Sequence, residues 1–325
     1  MLEEAIEVII KGLIMVAVLM GAAAYMTFAE RVIMARMQLR LGPNRVGPFG
    51  LLQPIADGIK LLCKERFQPA GVDQLVFWLA PSISVFIALF VFVLIPIGGT
   101  VEIWGHQVRL QIAEVNTGIL FLLAISSLAV YGVVLAGWSS NNRYSLLGGL
   151  RGTAQLISYE IPMGLSLLTV VLSAGTLSLS EIVDAQSSHW FVWSNPIGFI
   201  IYVITAFAET NRAPFDLPEA EHELVAGYHT EYGGMKFAMF FLAEYINILV
   251  VSAIAVTLFL GGWHGPGDIP VLWFAVKVAL AVFFFIWVRS TMARLRYDQL
   301  MSFGWKILVP IATLNLIVTA YFTLV

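Results

Sequence analysis

The sequence predicts an all-α integral membrane protein with eight transmembrane helices, and three observations carry that prediction. Of 325 residues, 59% are hydrophobic and only 12% charged, about half the charged share of a soluble domain. A window of about 20 apolar residues, enough to cross a bilayer, fits eight stretches: near 6–28, 82–98, 116–137, 153–174, 192–209, 237–260, 271–289 and 306–325. Lysine and arginine fall almost wholly on one side of those stretches, which sets orientation.

The opening "MLEEAIEVII" is acidic and lacks a basic segment before its apolar run, so it reads as mature protein and not as a signal peptide. Loop 29–81 carries Arg31, Arg36, Arg40, Arg45, Lys60, Lys64 and Arg66. Within it, "RLGPNRVGPFG" is rich in Gly and Pro and predicts a shaped turn. The following "LLQPIADGIKLLCKERF" puts Leu51, Leu52, Ile55, Ile59 and Leu62 on one helical stripe opposite Asp57, Lys60 and Lys64. That pattern predicts an amphipathic helix in the membrane surface, or one whose polar face lines a pocket. Pro96 and Pro196 clip the outer ends of the second and fifth spans. Loop 138–152 holds Arg143 and Arg151, loop 210–236 holds Arg212 and Lys236, and loop 290–305 follows Arg289 with Arg294 and Arg296. The opposite side has Arg109 and little else. The basic loops are therefore expected on the cytoplasmic side, with both termini outward and one polytopic domain over 1–325.

Composition also excludes. Cys63 stands alone, which rules out a disulfide or a cysteine-held iron–sulfur cluster within the chain. The five histidines (His106, His189, His222, His229 and His264) lie outside the apolar spans, against a bis-histidine haem. There is no P-loop, and a net charge of −3 without a basic block points away from nucleic acid. Glu219–His222 has a Glu-x-x-His spacing, but a di-iron carboxylate site needs a second such pair. None exists, so no metal is expected and His222 and His229 read as surface or loop-packing residues.

Acids within the spans are the informative residues, because each costs roughly 2.5–3.5 kcal/mol at a helix centre. Glu160 and Glu244 each fall about seven residues inside a span, counted from its cytoplasmic end, or roughly 10 Å deep at 1.5 Å per residue. Lys11 and Lys277 lie about six residues from the outer ends of their spans, and read as lysines that snorkel to water. Short carboxylate stems cannot do so. Glu209 ends the fifth span and opens "AETNRAPFDLPEAEHELVAGYHTEYGG", where Glu209, Asp216, Glu219, Glu221, Glu223 and Glu231 face one arginine, Arg212. Carboxyls crowded in a low dielectric are pushed toward the neutral form and can both receive and release protons. A chain of them leading into the membrane reads as a proton relay.

Four segments, "ERVIMARMQLRLGPNRVGPFGLLQPIADGIKLLCKE", "GWSSNNRYSLLGGLRGTAQLISYE", "AETNRAPFDLPEAEHELVAGYHTEYGGMKFAMFFLAEY" and "RYDQLMSFGWK", resemble the H-subunit family of proton-pumping NADH:quinone oxidoreductase, respiratory complex I. The likeness covers nearly the whole chain. It implies a component of the membrane arm, antiporter-like over spans two to six, whose cytoplasmic loops help enclose a quinone chamber. NADH, FMN and iron–sulfur clusters would belong to partner subunits, some of them hydrophilic, and quinone (ubiquinone or another type) would be the substrate. By the same resemblance Glu30, Arg31, Arg40, Asp57, Arg212, Phe215, Arg289 and Arg296 would shape the quinone site. Asp57, Glu209, Glu219, Glu221 and Glu223 would form an acidic funnel continuing to Glu160 and Glu244. A bacterial inner membrane is the expected location, with an organelle inner membrane an alternative.

Other readings remain beside it. Any single arginine at the membrane edge could instead bind anionic lipid. A stand-alone proton-coupled transporter would need paired internal repeats around a midplane site, which are not evident. A passive anchor would have no use for Glu160 and Glu244. The equivalent component of a related membrane-bound hydrogenase or dehydrogenase shares the superfamily.

Overall fold

A computed structural model of the chain describes residues 2–65, 67–69, 71–103, 106–219, 221–267 and 269–324. Arg66, counted above among the basic residues of the first loop, lies outside the described residues. The order is α1 (Leu2–Met37), α2 (Gln53–Cys63), α3 (Gln74–Phe92), a hairpin β1 (Thr100–Ile103) and β2 (His106–Arg109), α4 (Gly118–Ser127), α5 (Ala129–Ser139), α6 (Arg143–Ala174), α7 (Leu179–Ala185), α8 (Phe191–Ser194), α9 (Pro196–Glu209), α10 (Glu221–Leu224), α11 (Gly234–Phe259), α12 (Pro270–Thr291), α13 (Tyr297–Phe303) and α14 (Val309–Leu324). α4 and α5 run on as one apolar helix, as do α13 and α14 across a π-helical segment, Gly304–Leu308. Among the described residues, seven helices are long and apolar enough to cross a membrane, and α9 is a shorter apolar one. The chain is an all-α multi-pass membrane protein.

Local chemistry sets the helix ends. Asn142 caps α6 by accepting from Tyr144 N at 2.9 Å, and Asn195 caps α9 by accepting from Gly198 N at 3.1 Å, just before Pro196 in the first turn. Several helices outrun their apolar cores. α1 continues to Met37, so Glu30, Arg31 and Arg36 ride on a helix and not in a loop. α6 starts at Arg143, so Glu160 lies near its middle, about 26 Å from its first residue at 1.5 Å per residue. The apolar window does not reach these turns because a helix leaving the bilayer needs caps and protein contacts, not apolar residues.

α6 packs on α5, α9 and α14, while α11, the most buried long apolar helix, packs on α3, α12 and α1. The α5–α6 contact depends on glycine. A Cβ on Gly137 would sit 2.6 Å from Ser145 O and 3.2 Å from Gly149 Cα, so only a bare backbone allows this approach.

α9 has 14 residues, about 21 Å against a hydrocarbon core of about 30 Å. The shortfall is met by residues 210–218, which dip into the bundle: Thr210, Arg212, Phe215 and Leu217 are all buried. Irregular backbone at that depth needs protein partners. Gln155 of α6, fully buried, supplies them by donating to Ala208 O at 2.8 Å, Phe215 O at 2.7 Å and Asn211 Oδ1 at 3.3 Å.

Lys277 corrects the snorkelling expectation. Its ammonium turns inward and donates to Leu260 O at 2.7 Å, Gly262 O at 3.0 Å and His264 O at 2.6 Å, 4.5 Å from the Trp190 ring centroid. The unsatisfied carbonyls after α11 offer a cation more than a headgroup would. Lys11 pairs with Glu7 at 2.6 Å on the first turns of α1.

Candidate functional site: a buried charge network

The dipping loop carries Arg212 into contact with two helices. Its guanidinium, 5% exposed, pairs through Nε with Glu244 of α11, lies 3.7 Å from Glu30 of α1, and stacks 4.6 Å over the Tyr245 ring. Glu30, 4% exposed, also pairs with Arg289 of α12 and accepts from Tyr245 OH at 2.6 Å. Two acids and two arginines from four places in sequence thus balance inside one knot, which is how buried charge survives. Burial weakens the guanidinium's hold on its proton, but Glu244 foremost, then Tyr245 and Glu219, more than reverse this, so Arg212 stays a cation.

Beside the knot, Glu219 faces His229, with Oε1 and Nε2 3.3 Å apart. His229 is buried in the helical turn Gly227–His229 against Tyr228, Phe237 and Phe241, so it is no surface residue. Burial works against an anion at Glu219, yet the neighbouring His229, then Arg212, hold its carboxyl below the usual range. Tyr228 is pushed well above its ordinary value, first by burial and then by Glu219, Glu244 and Asp216.

Glu219, Glu244 and Glu209 all line one cavity, together with Asn211, Asn247 and Tyr202. About 80 Å³ of it is open to the centres of water-sized molecules. One water needs about 10–15 Å³ by that measure, so a short file of waters fits. Beyond the polar end the wall is apolar, with Leu156, Met163 and Leu167 of α6. Glu160 falls on the same stripe of α6 by helical spacing, is half-buried, and interacts electrostatically with Glu209. Acids bordering water at hydrogen-bonding range can exchange protons, so this arrangement is chemically able to carry them.

The other expected site residues fall at the rim. Arg31 pairs with Asp57 at 2.6 Å, with Gln53 donating to the same carboxylate at 3.2 Å, so Asp57 ties α1 to the amphipathic α2. Arg151 pairs with Glu223 at 2.5 Å. Arg40 is exposed beyond α1, and Arg296 is engaged by Asp298 at 3.0 Å in its own helix. Neither joins the knot. Phe215 is core, packed on Tyr159 at 5.6 Å between centroids. The Glu221 and His222 side chains lie outside the described residues. No cluster of three metal-ligating side chains occurs among the described residues. Sequence reasoning missed Tyr245, Gln155 and His229. Tyr245 directly follows Glu244, which was the one available signal.

Fold and network define a class: a multi-pass helical membrane protein that buries paired arginines and a line of glutamates among its spans. A family model described as NADH dehydrogenase matches residues 10–320. Over 304 residues the chain is 78% identical to the NADH-quinone oxidoreductase H subunit of Protochlamydia amoebophila (strain UWE25), covering 94% of each protein. It is 57% identical to an H subunit of the same enzyme from Geobacter metallireducens, covering 94% of this chain and 92% of the relative. At 52% it is similar to an H subunit from Syntrophobacter fumaroxidans, over 97% and 96%. The chain therefore belongs to the NADH dehydrogenase family, the group of these H subunits.

Proposed function

We propose that this chain, a membrane component of NADH-quinone oxidoreductase, forms part of the quinone chamber and couples quinone reduction to proton translocation. The observation that carries the reading is the continuity from the Glu30–Arg212–Glu244 knot into a water-sized cavity shared by Glu219, Glu244 and Glu209, with Glu160 next in line. Reduction of a quinone takes up two electrons and two protons, so charge appears transiently at its site. The electrons come from partner subunits that hold FMN and iron–sulfur clusters, and this chain supplies none.

The chain's own residues then act as follows. Arg31, Asp57 and Glu30 form the cytoplasmic edge of the chamber. Arg212, shared by Glu30 and Glu244, makes the two acids electrostatically interdependent, and interacting acids titrate as a set. A change of charge at the quinone therefore alters proton occupancy at Glu244 and Glu219. The cavity water passes the proton to Glu209 at the end of α9 and on to Glu160 of α6, from which it continues toward the neighbouring membrane-arm subunits. Arg40, Arg296, Glu221 and Glu223 contribute to the electropositive and acidic rim where hydrophilic partners dock. The basic loops face the cytoplasm of a bacterial inner membrane, with both termini outward, as the Lys and Arg distribution supports. Photo-crosslinking with a quinone analogue in the assembled complex tests the chamber. Label within residues 30–66 or 209–236 supports it, and label confined to other subunits removes the quinone role.

A further inference from the structure

His229 has a peculiar setting. Aromatic rings wall it: Tyr228 at 5.0 Å, Phe237 at 5.3 Å and Phe241 at 6.1 Å between centroids. Its Nε2 lies 3.3 Å from Glu219 Oε1, and both side chains are mostly buried. Glu219 in turn borders the cavity that His229 does not line. The imidazole therefore meets the cavity only through Glu219. A histidine kept merely for packing could be replaced by an apolar ring in such a cage. One aimed at a buried carboxylate does electrostatic work.

We propose that His229 is a positioning residue of the proton path: standing 3.3 Å from Glu219, it turns that carboxylate toward the cavity and keeps it a ready proton acceptor. Of the neighbouring charges, Arg212 of the dipping loop acts on Glu219, and Asp216 and Glu244 act on the adjoining Tyr228. α6, packed on this turn, carries Arg143, Arg151 and Glu160 along its length, with Arg151 engaged by Glu223, and α11 carries Lys236. α5, also packed on this turn, contributes no acid or base. Arg212 is shared between Glu244 and Glu30, which leaves His229 as the direct partner of Glu219. Burial works against the Glu219 anion, and His229 is the first influence that opposes burial.

The inference rests on the proton-path reading, and its test separates the two. In assembled complex reconstituted in proteoliposomes, His229→Gln, Glu219→Gln and the double variant are compared by quinone reduction against pH and by infrared difference spectra of carboxyl groups. Glu219 is active as the anion, so activity falls as pH drops through its titration. Without His229 that limb moves to higher pH by about one unit, a tenfold change in proton concentration. A new protonated-carboxyl band accompanies it, absent when Glu219 is also Gln. The double variant then equals Glu219→Gln alone. An unmoved limb and an unchanged spectrum in His229→Gln overturn the role of His229. Normal pumping in Glu219→Gln overturns the path itself. Should His229→Gln not assemble, Glu219→Asp, whose shorter stem draws the carboxylate back from Nε2, moves the limb the same way, and a fixed limb refutes the proposal.

Discussion

Arg212→Met isolates the knot that joins the dipping loop to the bundle. Methionine keeps much of the stem's volume and removes the charge, so loss of packing is a small part of the effect. Glu30 retains Arg289 and the Tyr245 hydroxyl, whereas Glu244 loses its direct ion-pair partner. Removing one member of a buried pair costs about 3–5 kcal/mol because an uncompensated charge stays behind. The guanidinium stacked on Tyr245 adds to this, since a desolvated cation–π contact contributes about 2 kcal/mol. Protonation of Glu244 relieves part of the cost, so about 3–5 kcal/mol stands as the expected net. At about 2 °C per kcal/mol for a large chain, thermal unfolding of the purified complex, read at this chain, drops by about 6–10 °C. The double variant Arg212→Met with Glu244→Gln removes the stranded charge and recovers more than half of that loss. Additive losses in the double variant would refute the pairing, since truly independent sites add.

Three further outcomes follow from the same geometry. Gln155→Leu strips one donor each from Ala208 O and Phe215 O, which keep the backbone donors of Asn211 and Leu217; the loss of two hydrogen bonds at about 0.5–1.5 kcal/mol each is expected to loosen residues 210–218, seen as faster hydrogen exchange there while α14 stays protected. Lys277→Met leaves three carbonyls without their donor and lowers the melting temperature without altering the pH profile of quinone reduction, because it stands apart from the cavity. Gly137→Ala forces a Cβ against Ser145 O and the Gly149 backbone, an overpacking of about 1–3 kcal/mol that reduces the yield of assembled complex.

Much of this architecture is legible in the sequence because the bilayer imposes a simple rule, about 20 apolar residues per crossing. Helices run through all eight apolar stretches, and the clipped fifth one is the short α9. The stripe Leu51–Leu62 likewise forms the amphipathic α2. What the rule does not reach is the polar part. Turns added to α1 and α6 beyond the apolar cores have no compositional mark, which is why Glu30 and Arg31 read as loop residues. The dense acids of 209–231 are legible as a site, since such a concentration is rare in so apolar a chain. Which of them meet is not. Glu30 reaches Arg212 across 182 positions and Tyr245 across 215, and only the tertiary fold supplies that contact. His229 and Lys277 escape the sequence for one reason: a lone base looks expendable until its buried acceptors are visible.

The central claim is that the line Glu219, Glu244, Glu209 and Glu160 carries protons when quinone is reduced. The rates of proton translocation and of quinone reduction, both measured in proteoliposomes containing complex with Glu160→Gln, test it most directly. The account predicts a fall in translocation, with or without a matching fall in quinone reduction, while assembly remains at the wild-type level. Wild-type rates of both processes in that variant would contradict it.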